Sequence, residues 1–223
     1  MHHRISELVH HRAHAADASF PLQEAFFDLA DRKISYVALD IGGWFDATEV
    51  LVKAGKLTAP EPGGRSWGLS LSEAEVEAAP RWSAGTTEHM AHLEAWPPLI
   101  VGPFGSTYSP ILMYEQLLGR GPASRPGADG DTAVTQLERA TQWLGRPVEA
   151  TDGESGRLED LLFDAPGLTI THAVVGQGGL LGHEGHALPF DRVAGLAEDG
   201  HAVRLTCAAA DVAEAPAPDT LPV

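Results

Sequence analysis

The spacing of apolar and polar positions predicts short β-strands rather than long helices. In the second half of the chain, apolar stretches of about four to eight residues are separated by turns rich in glycine and aspartate. Asp152 and Gly153 stand between the first two stretches, where an Asp-Gly pair is a strong hairpin signal. Because such strands would leave unpaired edges in an open sheet, we expect them to close into a small barrel. The predicted strands cover residues 147–151, 157–163, 168–175, 187–190 and 202–206.

The same pattern occurs twice along the chain. When the sequence is shifted by 136 positions, residues of the first half fall on like residues of the second half, and one register holds over roughly 70 residues. Chance matches would not keep that register, so we expect a mainly β protein with two small barrels, residues 5–80 and 142–217, related by an internal repeat. The expected core positions are Leu22, Phe27, Ile34 and Leu69 with their counterparts Leu158, Phe163, Ile170 and Leu205.

Other segments of the chain have different characters. Residues 81–141, rich in proline, glycine and aromatic side chains, form a joiner that we expect to be partly helical over 86–96 and 131–144. A capping-box pattern from Ser72 to Glu75 predicts a short helix at the end of the first copy. The tail from Ala215 alternates alanine and proline and is expected to be extended and mobile.

The aromatic side chains of the joiner are the candidate contact residues. They have two alternative roles: to pack across both barrels, or to present an anchor to a partner, since Trp and Tyr are enriched at interface centres. The candidates for partner contact are Trp82, Trp96, Tyr108 and Tyr114.

Charge narrows the classes of partner. The 223 residues include 31 acids and 15 bases, a net charge of −16, which opposes binding to nucleic acid and to anionic lipid. We therefore expect a protein partner with a basic face, or self-association. No apolar run reaches the length of a membrane-spanning helix, no secretory signal follows Met1, and the single cysteine excludes an internal disulfide, so a cytoplasmic location is expected.

Two stretches of the second copy carry a family resemblance. Residues 150–164, ATDGESGRLEDLLFD, and residues 188–193, LPFDRV, resemble the signature of the PRC-barrel family, and the first copy resembles a degenerate version. The family includes the cytoplasmic barrel of the photosynthetic reaction-centre H subunit and a domain of a ribosome maturation factor. The resemblance implies a non-enzymatic interaction or assembly module without a cofactor, associated peripherally with a photosynthetic or other membrane complex. The alternative implied by the resemblance is an adaptor of the ribosome-maturation type.

Histidines provide the main alternative chemistry. His183, Glu184 and His186 could supply three metal ligands, which would make the chain a metal-dependent binding protein or enzyme. His10 and His14 have metal-ligand spacing if they share a helix, although a solvated terminus is the simpler interpretation.

The remaining motifs do not satisfy the requirements of known catalytic or phosphate-binding sites. The glycines at 176–179 are not followed by a phosphate-binding helix, and Cys207 aligns with the apolar Leu71, which favours a buried thiol. We therefore expect no catalytic, cofactor or metal residues.

Overall fold

The structure is a computed structural model that describes residues 2–42, 48–60, 64–79, 81–82, 137–178, 184–197 and 199–222. Within these ranges the chain forms two β-sheets, one of them a half-barrel, with four short helices and three 3₁₀ turns. This confirms the expected mainly β class. The helices are α1 (Ile5–Leu8), α2 (Glu73–Glu77), α3 (Ala140–Trp143) and α4 (Ala209–Ala213).

Fifteen strands make up the two sheets in the described part of the chain. They are β1 (His2–Arg4), β2 (Arg12–His14), β3 (Ser19–Asp28), β4 (Ile34–Asp40), β5 (Glu49–Lys53), β6 (Leu57–Thr58), β7 (Ser66–Leu69), β8 (Arg81–Trp82), β9 (Leu137–Arg139), β10 (Pro147–Ala150), β11 (Gly153–Asp164), β12 (Thr169–Gln177), β13 (Glu184–Pro189), β14 (Val193–Leu196) and β15 (Val203–Leu205).

The strand order is the same in the main part of both sheets. The first sheet runs β6-β7-β2-β3-β4-β5-β8, and the second runs β14-β15-β10-β11-β12-β13. In each sheet one pair is parallel, β2 with β7 and β10 with β15, and the other pairs are antiparallel. Only β8 has no counterpart among the strands described in the second sheet.

The turns form where the sequence predicts them. Gly153, the glycine of the expected Asp-Gly turn, is the first residue of β11 and has a φ of +146°. Gly156 has a φ of +120°, and a Cβ there would collide with the carbonyl oxygen of Gly176, so glycine is required. The predicted cap of α2 is also confirmed. The Ser72 N–H and hydroxyl donate to the Glu75 carboxylate at 2.8 and 2.7 Å, and both hydrogen bonds lower the pKa of Glu75.

Two short segments cross between the sheets. The N-terminal arm, residues 2–8, comprises β1 and α1, and its β1 pairs with β11 of the second sheet. The central arm, residues 137–143, comprises β9 and α3, and its β9 pairs with β3 of the first sheet. Each arm thus precedes one sheet along the chain and pairs with the other.

The hairpin turns of the two sheets also bind one another. The Ile34 N–H donates to the Leu168 carbonyl at 2.8 Å, and the Ile170 N–H donates to the Arg32 carbonyl at 2.7 Å. Arg32 and Leu168 have φ angles of 62° and 50°, and they are the only non-glycine residues with positive φ in the described chain. The left-handed conformation is unfavourable for both side chains, so this mutual contact requires backbone strain at each turn.

One hydrophobic core extends across both sheets. The ring of Phe27 contacts those of Trp143 and Phe190 at centroid distances of 5.2 and 6.0 Å, and Trp67 stacks on Phe163 at 5.8 Å. Each cluster therefore joins residues from both parts of the chain. All eight predicted core positions are buried: Leu22, Phe27, Ile34, Leu69, Leu158, Phe163, Ile170 and Leu205.

Two local expectations from the sequence are wrong. The first is the helix predicted over 131–144, of which only Ala140–Trp143 is helical. Leu137–Arg139 is a strand instead, because its backbone pairs with β3. Residues 131–136 lie outside the described chain. The tail after Ala215 is docked on the second sheet, and Pro218–Thr220 forms a 3₁₀ turn where an extended segment was expected. The Ala187 N–H donates to the Pro216 carbonyl at 2.8 Å, and Leu221 packs on the outer face of the second sheet. The helix predicted over 86–96 lies outside the described residues.

Replacing Phe163 with alanine should lower the free energy of unfolding by about 3–5 kcal/mol, because the ring is fully buried between the sheets. Urea denaturation monitored by circular dichroism measures this loss. The exposed substitution Thr151→Ala is the control and should stay within about 0.5 kcal/mol of wild type. A Phe163→Ala protein as stable as that control would contradict the core assignment.

Candidate functional site

Two buried carboxylates hold the crossing arms. Asp160 accepts hydrogen bonds from the Ser6 N–H at 3.0 Å and the Ser6 hydroxyl at 2.5 Å, and Arg4 lies 3.7 Å away. Asp160 is 3% exposed and stands where the pairing of β11 shifts register, a bulge that re-aims the side chain. This carboxylate therefore binds the N-terminal arm where β1 becomes α1.

Glu24 binds the central arm in the same way. It accepts hydrogen bonds from the Thr141 N–H at 2.9 Å and from the Thr141 hydroxyl, and Arg139 pairs with it at 3.2 Å. Glu24 is 2% exposed and also follows a register shift, here in β3. The sequence did not predict that these two carboxylates are buried. The one feature that sets them apart in the sequence is that Glu24 and Asp160 align at the 136-residue shift.

Replacing Asp160 with asparagine should lower the free energy of unfolding by about 1–3 kcal/mol, because an amide nitrogen then faces the Ser6 hydroxyl or Arg4 inside the protein. The matched control is Asp219→Asn. Asp219 pairs with the same Arg4 at 3.6 Å, but its side chain is 96% exposed, so its loss should cost no more than about 0.5 kcal/mol. Equal effects of the two substitutions in urea denaturation would show that burial of Asp160 is unimportant.

A second acidic group lies at one end of the first sheet. Asp40 on β4 and Glu49 on β5 are direct cross-strand partners, and Glu49 is also opposite Trp82 on β8. β8 is the last strand of that sheet in the described part of the chain. We call Asp40, Glu49 and β8 the acidic edge.

Hydrogen bonds and burial distinguish the two carboxylates of the acidic edge. The Asp40 carboxylate accepts hydrogen bonds from the N–H groups of Gly42 at 2.8 Å and Thr48 at 3.1 Å. Burial, followed by the negative charge of Asp40, raises the pKa of Glu49. Arg139 opposes this shift, but it is already paired with Glu24. A lysine or arginine from a partner would relieve the repulsion between Asp40 and Glu49.

Only one of the four candidate contact residues can be placed. Trp82 lies on β8 in the acidic edge, where its backbone pairs with Glu49. Trp96, Tyr108 and Tyr114 lie outside the described residues. Their predicted role as partner anchors stays a prediction.

The structure places one histidine motif fully and the other in part. The idea that His10 and His14 share a helix is wrong, because α1 ends at Leu8 and His14 belongs to β2. Glu184 and His186 lie on β13, with the His186 Nδ1 3.1 Å from the Ala215 carbonyl, whereas His183 is outside the described residues. Among the described residues, no three His, Cys, Asp or Glu side chains are grouped closely enough to hold a metal ion.

Two further motifs have structural roles in the second sheet. The glycine at 176 is part of β12, and a Cβ there would collide with the Glu159 side chain. The Cys207 thiol is buried, and burial raises its pKa, so little of it is the reactive thiolate near neutral pH. The expected buried thiol is confirmed.

Comparison with known proteins identifies no family. No family model matches the chain, and no curated protein matches it. In the described ranges, no helix is long and apolar enough to cross a membrane.

Cys207 should react with a thiol reagent at least about tenfold more slowly in the folded protein than in urea, because both burial and the raised pKa disfavour attack. The rate of absorbance change with a disulfide reagent at about pH 8 measures this difference. Free cysteine in the same two buffers corrects for the effect of urea on the reagent. Equal corrected rates would contradict an inert thiol.

Proposed function

We propose that the chain is a non-enzymatic protein-interaction module built from two PRC-like barrels, and that it binds a partner with a basic face through the acidic edge.

Matching element bounds support two copies of one fold. Helices α2 (Glu73–Glu77) and α4 (Ala209–Ala213) differ by the 136-residue shift, as do the 3₁₀ turns Ala54–Lys56 and Phe190–Arg192. Even the irregularities correspond, because the register shifts between Leu22 and Glu24 and between Leu158 and Asp160 obey the same shift. Bulges are designed features of a fold, so their agreement supports a common architecture.

The reciprocal arms add a second line of support. Arg4 and Ser6 bind Asp160, while Arg139 and Thr141 bind Glu24, so the same residue types perform the same contact in each direction. The resemblance of residues 150–164 to the PRC-barrel signature then suggests which small barrel the copies are, and it carries the expectation of an assembly role.

The Asp40–Glu49 pair is the observation that carries the functional part. Like charges directly across a strand pair are destabilising, and the charge of Asp40 adds to burial in raising the pKa of Glu49. Their place beside the last described strand of the sheet suits a partner that supplies a positive charge there. The net charge of −16 steers such a partner over longer range.

Affinity purification from the native host, followed by binding kinetics with the recovered protein, tests this proposal. The association rate should fall as salt rises, because screening weakens the attraction. The double variant Asp40→Asn, Glu49→Gln should lower the association rate by roughly tenfold at low salt, since it removes both charges of the acidic edge.

The matched control is the double variant Asp17→Asn, Glu149→Gln, which makes the same change in net charge at two exposed residues outside the acidic edge. It should lower the rate far less than the acidic-edge variant. Equal effects of the two double variants, or a rate indifferent to salt, would contradict binding at this edge.

A further inference from the structure

The N-terminal arm is docked through imidazole rings. The His3 ring lies between Trp67 and Phe163, at centroid distances of 5.2 and 5.6 Å, and therefore bridges the two sheets. The His2 ring meets His172 of β12 edge to face at 5.4 Å. The arm is also held by the three paired residues of β1, by the contacts of Arg4 and Ser6, and by Ile5 and Leu8, which are buried in the core.

A single hydroxyl connects the facing imidazoles. Thr171 Oγ1 lies 3.3 Å from the His2 Nδ1 and 3.0 Å from the His172 Nδ1, and it can donate to the Leu162 carbonyl at 3.3 Å. If both rings gained a proton, two positive charges would face one another across this contact. That repulsion would act directly between the arm and the sheet to which it is docked.

The central arm provides an internal comparison. It has Leu137 and Glu138 where the N-terminal arm has His2 and His3, and the residue at the position of His172 in the first sheet is Tyr36. The Arg and Ser/Thr contacts to a buried carboxylate are otherwise the same. Only the N-terminal arm is therefore attached through histidines.

We propose that the N-terminal arm is a pH-sensitive latch, docked on β11 while His2, His3 and His172 are neutral and released when they are protonated. This inference does not depend on the proposed partner or on the barrel family. Release would leave residues 162–164 of β11 without their β1 partner and open a short strand edge, a surface to which another extended segment can add.

Burial of the imidazoles sets the direction of the pKa shifts, and the surrounding charges modify it. Burial is the largest influence on both His3 and His172 and lowers the pKa of each; for His3 it outweighs the carboxylates of Glu7 and Asp164, and for His172 it outweighs Asp191. The positive charges that add to the lowering are the terminal amino group and His11 for His3, and His2 for His172. The other charged or titratable groups at the arm are Arg4, Asp160, Asp219 and His10, whose Nδ1 lies 2.6 Å from the Ser6 carbonyl.

The sign of the pH dependence follows from these shifts. The imidazoles of His3 and His172 each bind a proton less readily while the arm is docked than when they are exposed to water, where the pKa of histidine is about 6.5. The stabilisation of the docked arm is therefore complete above about pH 6.5. It is lost as the pH falls from there through the lower pKa values that His3 and His172 have in the docked state.

Hydrogen–deuterium exchange of the full chain at about pH 7.5 and pH 5 tests the latch, with rates corrected for the intrinsic effect of pH. The protection of residues 2–8 should fall by at least about tenfold at the lower pH, while that of residues 137–143 is retained. Unchanged protection of residues 2–8 would overturn the proposal. Equal loss in both arms would also overturn it, because that result indicates general acid unfolding.

Variants based on the central arm identify the groups responsible. The triple variant His2→Leu, His3→Phe, His172→Tyr takes two residues from the counterpart positions and keeps an aromatic ring between Trp67 and Phe163. It should keep the arm protected at both pH values, whereas the exposed double variant His14→Gln, His201→Gln, which lies away from the arm, should respond like wild type. A triple variant that still loses protection at pH 5 would contradict the assignment.

An NMR titration of the wild-type imidazoles gives a second readout that requires no variant to fold. His3 and His172 should titrate at lower pH than free histidine, whose pKa is about 6.5. Midpoints of His3 and His172 equal to that of free histidine would overturn the proposal even if the triple variant fails to dock its arm.

Discussion

The binding of each arm to a buried carboxylate on the opposite sheet is the contact on which the rest of the structure depends. Asp160 and Glu24 are 3% and 2% exposed, and each satisfies a backbone N–H and a hydroxyl at the start of a four-residue helix. So short a helix has no stability of its own, so the carboxylate and the strand beside it fix its position. Because the two arms cross in opposite directions, neither sheet has its complete set of strands without the other part of the chain.

This exchange explains why one core serves both sheets. Trp143 of the central arm packs on Phe27 of the first sheet and on Phe190. The cluster of His3, Trp67 and Phe163 likewise combines residues from both halves of the chain. The two hairpin turns meet through Arg32 and Leu168, whose left-handed conformations are maintained by hydrogen bonds from the other sheet. Backbone strain of that kind persists only where the surrounding structure determines it strongly.

The differences between the sheets are where the proposed functions lie. Asp40 and Glu49 form a carboxylate pair in the first sheet, whereas the corresponding positions in the second are Gly176 and Gly185, which are approached by the single side chain of Glu159. The two arms also differ at corresponding positions: the N-terminal arm has His2 and His3 where the central arm has Leu137 and Glu138. Shared residues maintain the architecture, and the unshared residues carry the acidic edge and the latch.

The sequence by itself determined the β class, most strands and the core, because alternation, Asp-Gly turns and the 136-residue register are local or repetitive signals. It missed β14 (Val193–Leu196), a short strand interrupted by Gly195, whose existence depends on pairing with β15. It also assigned residues 137–139 to a helix, since nothing local reveals that β3 lies beside them. Only the tertiary structure decided that Glu24 and Asp160 are buried, that the tail is docked, and that His2 and His3 contact the second sheet. Each of these features joins residues far apart in the chain, and the energy of such contacts comes from desolvation and pairing that a local pattern does not contain.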